Sequence, residues 1–153
     1  MKSLILEPLR CNGCGECEKV CSLRRIGLNN PDQSCIRIAR HDRLEGFCFP
    51  VVCYQCADAP CVTVCPEEAL LKDKDERVMI RYDRCIGCRM CLAACPFGAM
   101  GFDEDLGRSF KCDLCGGAPE CVRVCEPGAL LYMDTNEIGP IQGLAHARKF
   151  LTA

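Results

Sequence analysis

Residues 85–96 read Cys85-Ile86-Gly87-Cys88-Arg89-Met90-Cys91-Leu92-Ala93-Ala94-Cys95-Pro96, a C-x2-C-x2-C-x3-C-P run. Three thiolates at this spacing can close on three irons of one cubane cluster, while the fourth, displaced by a helical turn, points at a neighbouring cluster. One run of this kind therefore predicts another. The chain supplies three more groups: Cys11, Cys14, Cys17, Cys21; Cys53, Cys56, Cys61, Cys65; and Cys112, Cys115, Cys121, Cys125. Sixteen of the 18 cysteines are placed in this way.

A chain of 153 residues has the length of one domain or two very small ones. Its apolar core must be modest, because the 49% of hydrophobic residues includes 18 Cys, with no Trp, three Tyr and six Phe. Four clusters leave roughly 38 residues for each, a size at which chains usually need metals or disulfides to hold a fold. The metal-free chain is therefore expected to be largely unfolded. A disulfide scaffold is disfavoured at the N-terminus, where Leu4-Ile5-Leu6 leaves no room for the apolar core of a signal peptide before Cys11. Reduced thiols available to metal imply a cytoplasmic protein. No apolar run approaches the ~20 residues of a transmembrane helix, so no membrane insertion is expected. The formal charge is −2, and four clusters with their thiolates would add roughly −8. That balance, without a basic patch, argues against a nucleic-acid partner.

Along the chain, residues 3–9 read as a strand leading into the first cysteine loop, and residues 16–22 as a short helix carrying Cys17 and Cys21. Leu28-Asn29-Asn30-Pro31-Asp32 is a loop signal. Residues 35–39 and 47–52 are β-like and joined through 41–46, a hairpin expected to lie outside the cluster array. A second hairpin is expected from Leu70-Leu71 and Val78-Met79-Ile80 around the charged turn 72–77. Further short strands are expected at 100–102 and 130–133, with Leu106-Gly107-Arg108 in a turn. The tail from Ile141 to Leu151 has a helical pattern and is read as packing on its own domain.

The second and fourth groups repeat one another. Cys61-Val62-Thr63-Val64-Cys65 runs on to Ala69-Leu70-Leu71, and Cys121-Val122-Arg123-Val124-Cys125 to Ala129-Leu130-Leu131 at the same offsets. Both have a widened middle gap with a proline, whereas the first and third groups are compact. Pro66 and Pro96 follow the last cysteines of the two middle groups, where Ser22 and Glu126 stand in the outer two. This pattern suggests that the middle groups form one unit and the outer groups another.

A single C-x2-C is also what a zinc knuckle uses, but zinc sites pair two such arms across a longer stretch. Four groups of four favour iron–sulfur. Cys35 and Cys48 lie in β-like stretches without a partner at ligand spacing and are read as packed thiols. His41 and His146 are isolated and assigned to no site. Glu67-Glu68 and Asp103-Glu104-Asp105 read as solvated turns.

The run at 85–96 is that of bacterial ferredoxins, and the four groups together resemble the four-cluster electron-transfer subunits of the DMSO reductase and formate dehydrogenase type. Small soluble relatives of that type serve tungsten aldehyde oxidoreductases, hydrogenases and carbon monoxide dehydrogenases. The resemblance covers Cys11 to Leu131. It implies an α+β fold of two interleaved bacterial-ferredoxin-like modules. Residues 1–27 and 103–135 would form the outer module and 50–102 the inner one, with a hairpin insertion at 28–49 and a C-terminal helical tail at 136–153. It also implies four [4Fe-4S] clusters with crossed ligands. The sets are Cys11, Cys14, Cys17 with Cys125; Cys112, Cys115, Cys121 with Cys21; Cys53, Cys56, Cys61 with Cys95; and Cys85, Cys88, Cys91 with Cys65.

The function expected is outer-sphere electron transfer between a large catalytic oxidoreductase subunit and a second redox partner, such as a flavin subunit or further copies of the chain. The leading guess for the catalytic subunit is a tungsten or molybdenum enzyme acting on aldehydes or formate. Val62, Val64, Ile86, Leu92, Val122 and Val124 are expected to line the clusters. The chain shows no acid–base pair, nucleophile or phosphate loop, so it is not expected to be an enzyme alone. A free polyferredoxin serving hydrogenase or carbon monoxide dehydrogenase is the nearest alternative. A zinc-stapled interaction module, colourless and without redox activity, is the alternative of another class.

Overall fold

The structure, a computed structural model, describes residues 2–40, 47–137 and 139. Its strands form four separate antiparallel ribbons of two strands each. Strand β1 (Lys2–Leu6) pairs with β8 (Leu130–Asp134), so Leu4 lies opposite Tyr132 and the first described strand is joined to the last. The other ribbons are local hairpins: β2 (Arg37–Arg40) with β3 (Cys48–Val51), β4 (Leu70–Lys72) with β5 (Val78–Ile80), and β6 (Gly101–Asp103) with β7 (Arg108–Phe110).

Helix α1 (Glu16–Ile26) begins at Gly15 and ends at Gly27, both left-handed. Gly27 N–H donates to the Leu23 carbonyl at 2.8 Å, which satisfies one of the carbonyls left over at the helix end. Glu16 and Glu18 in the first turn and Arg24 and Arg25 in the last complement the helix dipole. The helix therefore outruns the span 16–22 expected for it, since 23–26 are good helix formers up to the glycine stop. Strand β1 is shorter than expected, because Pro8 opens a 3-10 turn, Pro8–Arg10. Helices α2 (Pro60–Thr63), α3 (Met90–Ala94) and α4 (Glu120–Arg123) are a single turn each. All three end before the last cysteine of their group, which leaves that residue free to point elsewhere.

Two hydrophobic cores result. One joins the β1–β8 ribbon and the β2–β3 hairpin through Leu4, Cys17, Ile36, Ile38, Cys48, Val52, Leu114, Cys121 and Leu130. The other, Ala59, Leu70, Val78, Cys91 and Met100, lies within the middle of the chain. Helix α1 packs on α4 and α2 on α3. The β2–β3 hairpin was expected outside the cluster array, and the structure corrects this. Its strands put Ile38 and Pro50 against the cavity that holds Cys11, Cys14, Cys17 and Cys125. The alternation of strand residues turns Ile38, Cys48 and Pro50 inward, and a core this small recruits every apolar face available. The hairpin is tied further by the Arg37 guanidinium, which donates to the Met100 carbonyl at 2.9 Å, and by Ile38 N–H, which donates to Glu18 Oε1 at 2.8 Å. The connection 41–46, His41 included, the tail 141–151 and His146 lie outside the described residues.

Candidate metal centres

The sixteen grouped cysteines surround four cavities. One is lined by Cys11, Cys14, Cys17 and Cys125, and a second by Cys65, Cys85, Cys88 and Cys91. A third is lined by Cys53, Cys56, Cys61 and Cys95. The fourth and largest contains Cys112, Cys115, Cys121 and Cys21, together with Cys35. Every cavity takes three cysteines from one group and one from another. All 18 thiols are free of disulfides.

Backbone conformation makes this possible. The residue before the second cysteine of each group is left-handed: Gly13 (φ 73°), Gln55 (φ 51°), Gly87 (φ 71°) and Leu114 (φ 56°). Such a reversal turns successive thiols and N–H groups toward one concavity. The compact groups use glycine there, at no steric cost. The expanded groups accept roughly 1–2 kcal/mol of strain with Gln55 and Leu114, both almost fully buried and so held in place.

Four sulfurs around one zinc at ~2.3 Å would lie within about 4 Å of one another. Among the described residues no three His, Cys, Asp or Glu side chains converge closely enough to hold a single metal ion. The cysteines frame a volume instead of a point. A cubane, whose irons occupy separate corners, suits such a donor set, and the residues present fit it.

The sulfurs are also supported by hydrogen bonds. Ala69 N–H donates to Cys65 Sγ at 3.3 Å and Ala99 N–H to Cys95 Sγ at 3.4 Å, the same four-residue offset in two groups. Leu114 N–H donates to Cys112 Sγ at 3.3 Å. Cys91 Sγ lies 3.3 Å from the buried Ser109 hydroxyl. Such contacts orient ligands and tune the electronics of a centre. Burial pushes the thiols of Cys17 and Cys121 up to about 12, and raises those of Cys56, Cys61, Cys91, Cys112 and Cys115. These groups remain protonated at neutral pH until a metal displaces the proton. Cys21 is pulled the other way, chiefly by the Cys35 thiol donating to its sulfur.

Of the apolar residues expected at the clusters, Ile86 and Val124 line cysteine cavities. Ile86 is nevertheless 62% exposed and does not seal its site. Val62, Val64, Leu92 and Val122 pack on the two cores. Cys48 is a packed thiol beside Gly13. Cys35 is buried as well, but it touches the site: its N–H donates to Cys21 Sγ at 3.3 Å. Its odd position outside any ligand spacing carried no signal of this. Gln55 and Lys111, which lie beside the cysteine cavities, were also missed.

Cysteine-framed cavities in a small α+β scaffold of short strands and helices define an iron–sulfur protein of ferredoxin-like type. The chain belongs to the 4Fe-4S dicluster domain family, which matches residues 44–135, and a 4Fe-4S binding domain matches residues 8–24. It is 39% identical over 86 residues to the polyferredoxin-like subunit of an aliphatic sulfonate oxidoreductase from Pyrococcus furiosus, covering 56% of this chain and 49% of that one. It is 35% identical over 94 residues to the iron–sulfur subunit of an arsenate respiratory reductase from Shewanella sp., covering 56% of this chain and 38% of that subunit. The chain thus spans about half or less of these relatives' length. Among solved structures, an active-site complex of benzoyl coenzyme A reductase matches with a TM-score of 0.52 at 29% identity, covering 87% of this chain and 75% of that one. By name, the first two are a polyferredoxin-like subunit and an iron–sulfur subunit of oxidoreductases. Among the described residues, no helix is long and apolar enough to cross a membrane.

Proposed function

We propose that the protein is a non-catalytic electron-transfer subunit carrying four [4Fe-4S] clusters as a wire. The ligand sets are Cys11, Cys14, Cys17 with Cys125; Cys112, Cys115, Cys121 with Cys21; Cys53, Cys56, Cys61 with Cys95; and Cys85, Cys88, Cys91 with Cys65. The observation that carries this reading is the grouping of those same sets around four separate cavities. Each cluster, when bound, takes up and gives back one electron. The chain's own part is to supply thiolates, aim N–H donors at sulfur and limit the access of water.

Two interleaved modules, 1–27 with 103–135 and 50–102, are the organisation proposed. The β1–β8 pairing and the two separate cores support it. Residues 28–40 and 47–49 join the outer module, whose core takes in Ile36, Ile38 and Cys48.

One end of the wire docks on a large catalytic oxidoreductase subunit, and the other meets a second redox protein, for which a flavin subunit or another copy of the chain is suited. A DMSO reductase or formate dehydrogenase type of iron–sulfur subunit is the closest description of the architecture. A tungsten or molybdenum enzyme acting on aldehydes or formate leads the candidates. The sulfonate oxidoreductase, arsenate reductase and benzoyl coenzyme A reductase relatives widen that set.

Anaerobic purification from the native source tests both levels. About sixteen irons per chain and a stoichiometric catalytic subunit are the expected results. Near twelve irons would refute the full set of four cubanes. A chain that runs alone, with the catalytic subunit keeping full activity toward its physiological acceptor, would replace the wire with a free polyferredoxin.

A further inference from the structure

Lys111 is only 6% exposed. Its ammonium group donates to the carbonyls of Val78 and Cys112, the latter at 2.6 Å, and to Gln55 Oε1 at 3.4 Å. Gln55 is itself pinned. Its side-chain amide donates to the Cys112 carbonyl at 2.8 Å, and its oxygen accepts from Val78 N–H at 2.8 Å. The three donors of the lysine are therefore spent on neutral oxygens. No carboxylate among the described residues lies within ion-pairing distance of it.

A buried charge without a counter-charge is costly, so the compensation must come from another source. Lys111 lines two of the cysteine cavities at once, that of Cys53, Cys56, Cys61 and Cys95 and that of Cys112, Cys115, Cys121 and Cys21. With clusters bound, the anions that would balance it are the cysteine-ligated sets on either side.

We infer that Lys111 is a fixed cation shared by these two cluster sites, held by Gln55, and that it raises the reduction potential of both relative to the same sites without it. The inference rests on the ligand sets proposed above. One-electron reduction adds negative charge to a site that is already anionic, and a cation held nearby in a low-dielectric interior favours the reduced form. The lysine gains or loses nothing in the step. Because one charge serves both sites, reduction of either uses part of the same stabilisation, so removal of the charge affects the two together. The cavities holding Cys11 and Cys85 do not include Lys111.

The test is EPR-monitored redox titration of anaerobically purified full-length protein: wild type, Lys111→Gln, Lys111→Arg and Gln55→Glu. Signals are assigned with Cys56→Ser and Cys115→Ser, each of which perturbs one cluster. In Lys111→Gln, the equilibrium constant for reduction should fall about tenfold or more at two clusters, at 59 mV per tenfold for one electron. The other two should stay within a factor of two or three. Lys111→Arg should remain close to wild type. Gln55→Glu, which sets a carboxylate beside the ammonium, should lower the same two clusters and stands in if Lys111→Gln does not accumulate. Four clusters with potentials unmoved by Lys111→Gln and Gln55→Glu, a uniform shift of all four, or an equal shift in Lys111→Arg would overturn the role of Lys111 alone. A wild type without clusters would overturn the ligand assignment as well.

Discussion

Gly87 shows how much one residue type can decide. It sits between Ile86 and Cys88 at φ 71°, and a Cβ there would run into the Gly107 carbonyl. Gly87→Ala adds a left-handed penalty to a contact with backbone that has little freedom to move. It should destabilise the loaded protein by about 2–3 kcal/mol, read from thermal melting under anaerobic conditions. A loss below ~0.5 kcal/mol would show that the loop relaxes freely. The raised thiols make a second residue-scale prediction. Cys17 and Cys121, pushed up from 9.0 to about 12 by burial, carry protons throughout the range below that value. Loading must expel those protons, so metal retention strengthens as pH rises and weakens as it falls, by up to tenfold per unit for each proton displaced. Iron release to a chelator at pH 6 should outpace that at pH 8; the opposite order would mean the thiols are not the competing groups.

At the scale of elements, most of the organisation was legible, because each short strand or helix is a local pattern closed by a turn residue. Gly27 stops α1, Pro8 stops β1, and the charged turn 72–77 joins β4 to β5. The pairing of β1 with β8 was not legible, since nothing local links residues more than a hundred positions apart. That ribbon clasps residues 2–6 to 130–134, and Leu4 is its most deeply buried side chain, 1% exposed in the first core. Leu4→Ala should cost about 2–4 kcal/mol, measured by denaturant unfolding of the loaded protein. A cost under about 1 kcal/mol would mean that β1 contributes little to holding the cluster sites.

For the whole molecule, the balance between apolar burial and metal ligation governs stability. The first core includes Cys17 and Cys121 and the second Cys91, so several core positions are thiols facing a cavity. Without the metal, these groups exchange coordination for poorly partnered burial, and the remaining apolar residues are too few for a chain of this size. Oxidative removal of iron in the presence of a chelator should therefore abolish most far-UV circular dichroism and expose surface to a hydrophobic dye. Retention of a cooperative unfolding transition in the metal-free chain would show that the two cores suffice alone.

The sequence by itself determined the chemistry of the sites. Ligand spacing is a short-range property, because neighbouring thiols at x2 and x3 intervals must reach adjacent corners of one cluster, and a repeat shows itself at fixed offsets. The four groups and the compact–expanded alternation followed from it, and the α+β fold class from the family resemblance those groups carry. Only the tertiary structure decided the long-range contacts around those groups. It seated the β2–β3 hairpin on the Cys11 cavity, set Cys35 on Cys21, and drove Lys111 and Gln55 into the wall between two cavities. Such contacts join residues far apart in the chain and depend on packing, charge compensation and the satisfaction of buried donors, none of which leaves a period or a motif to read.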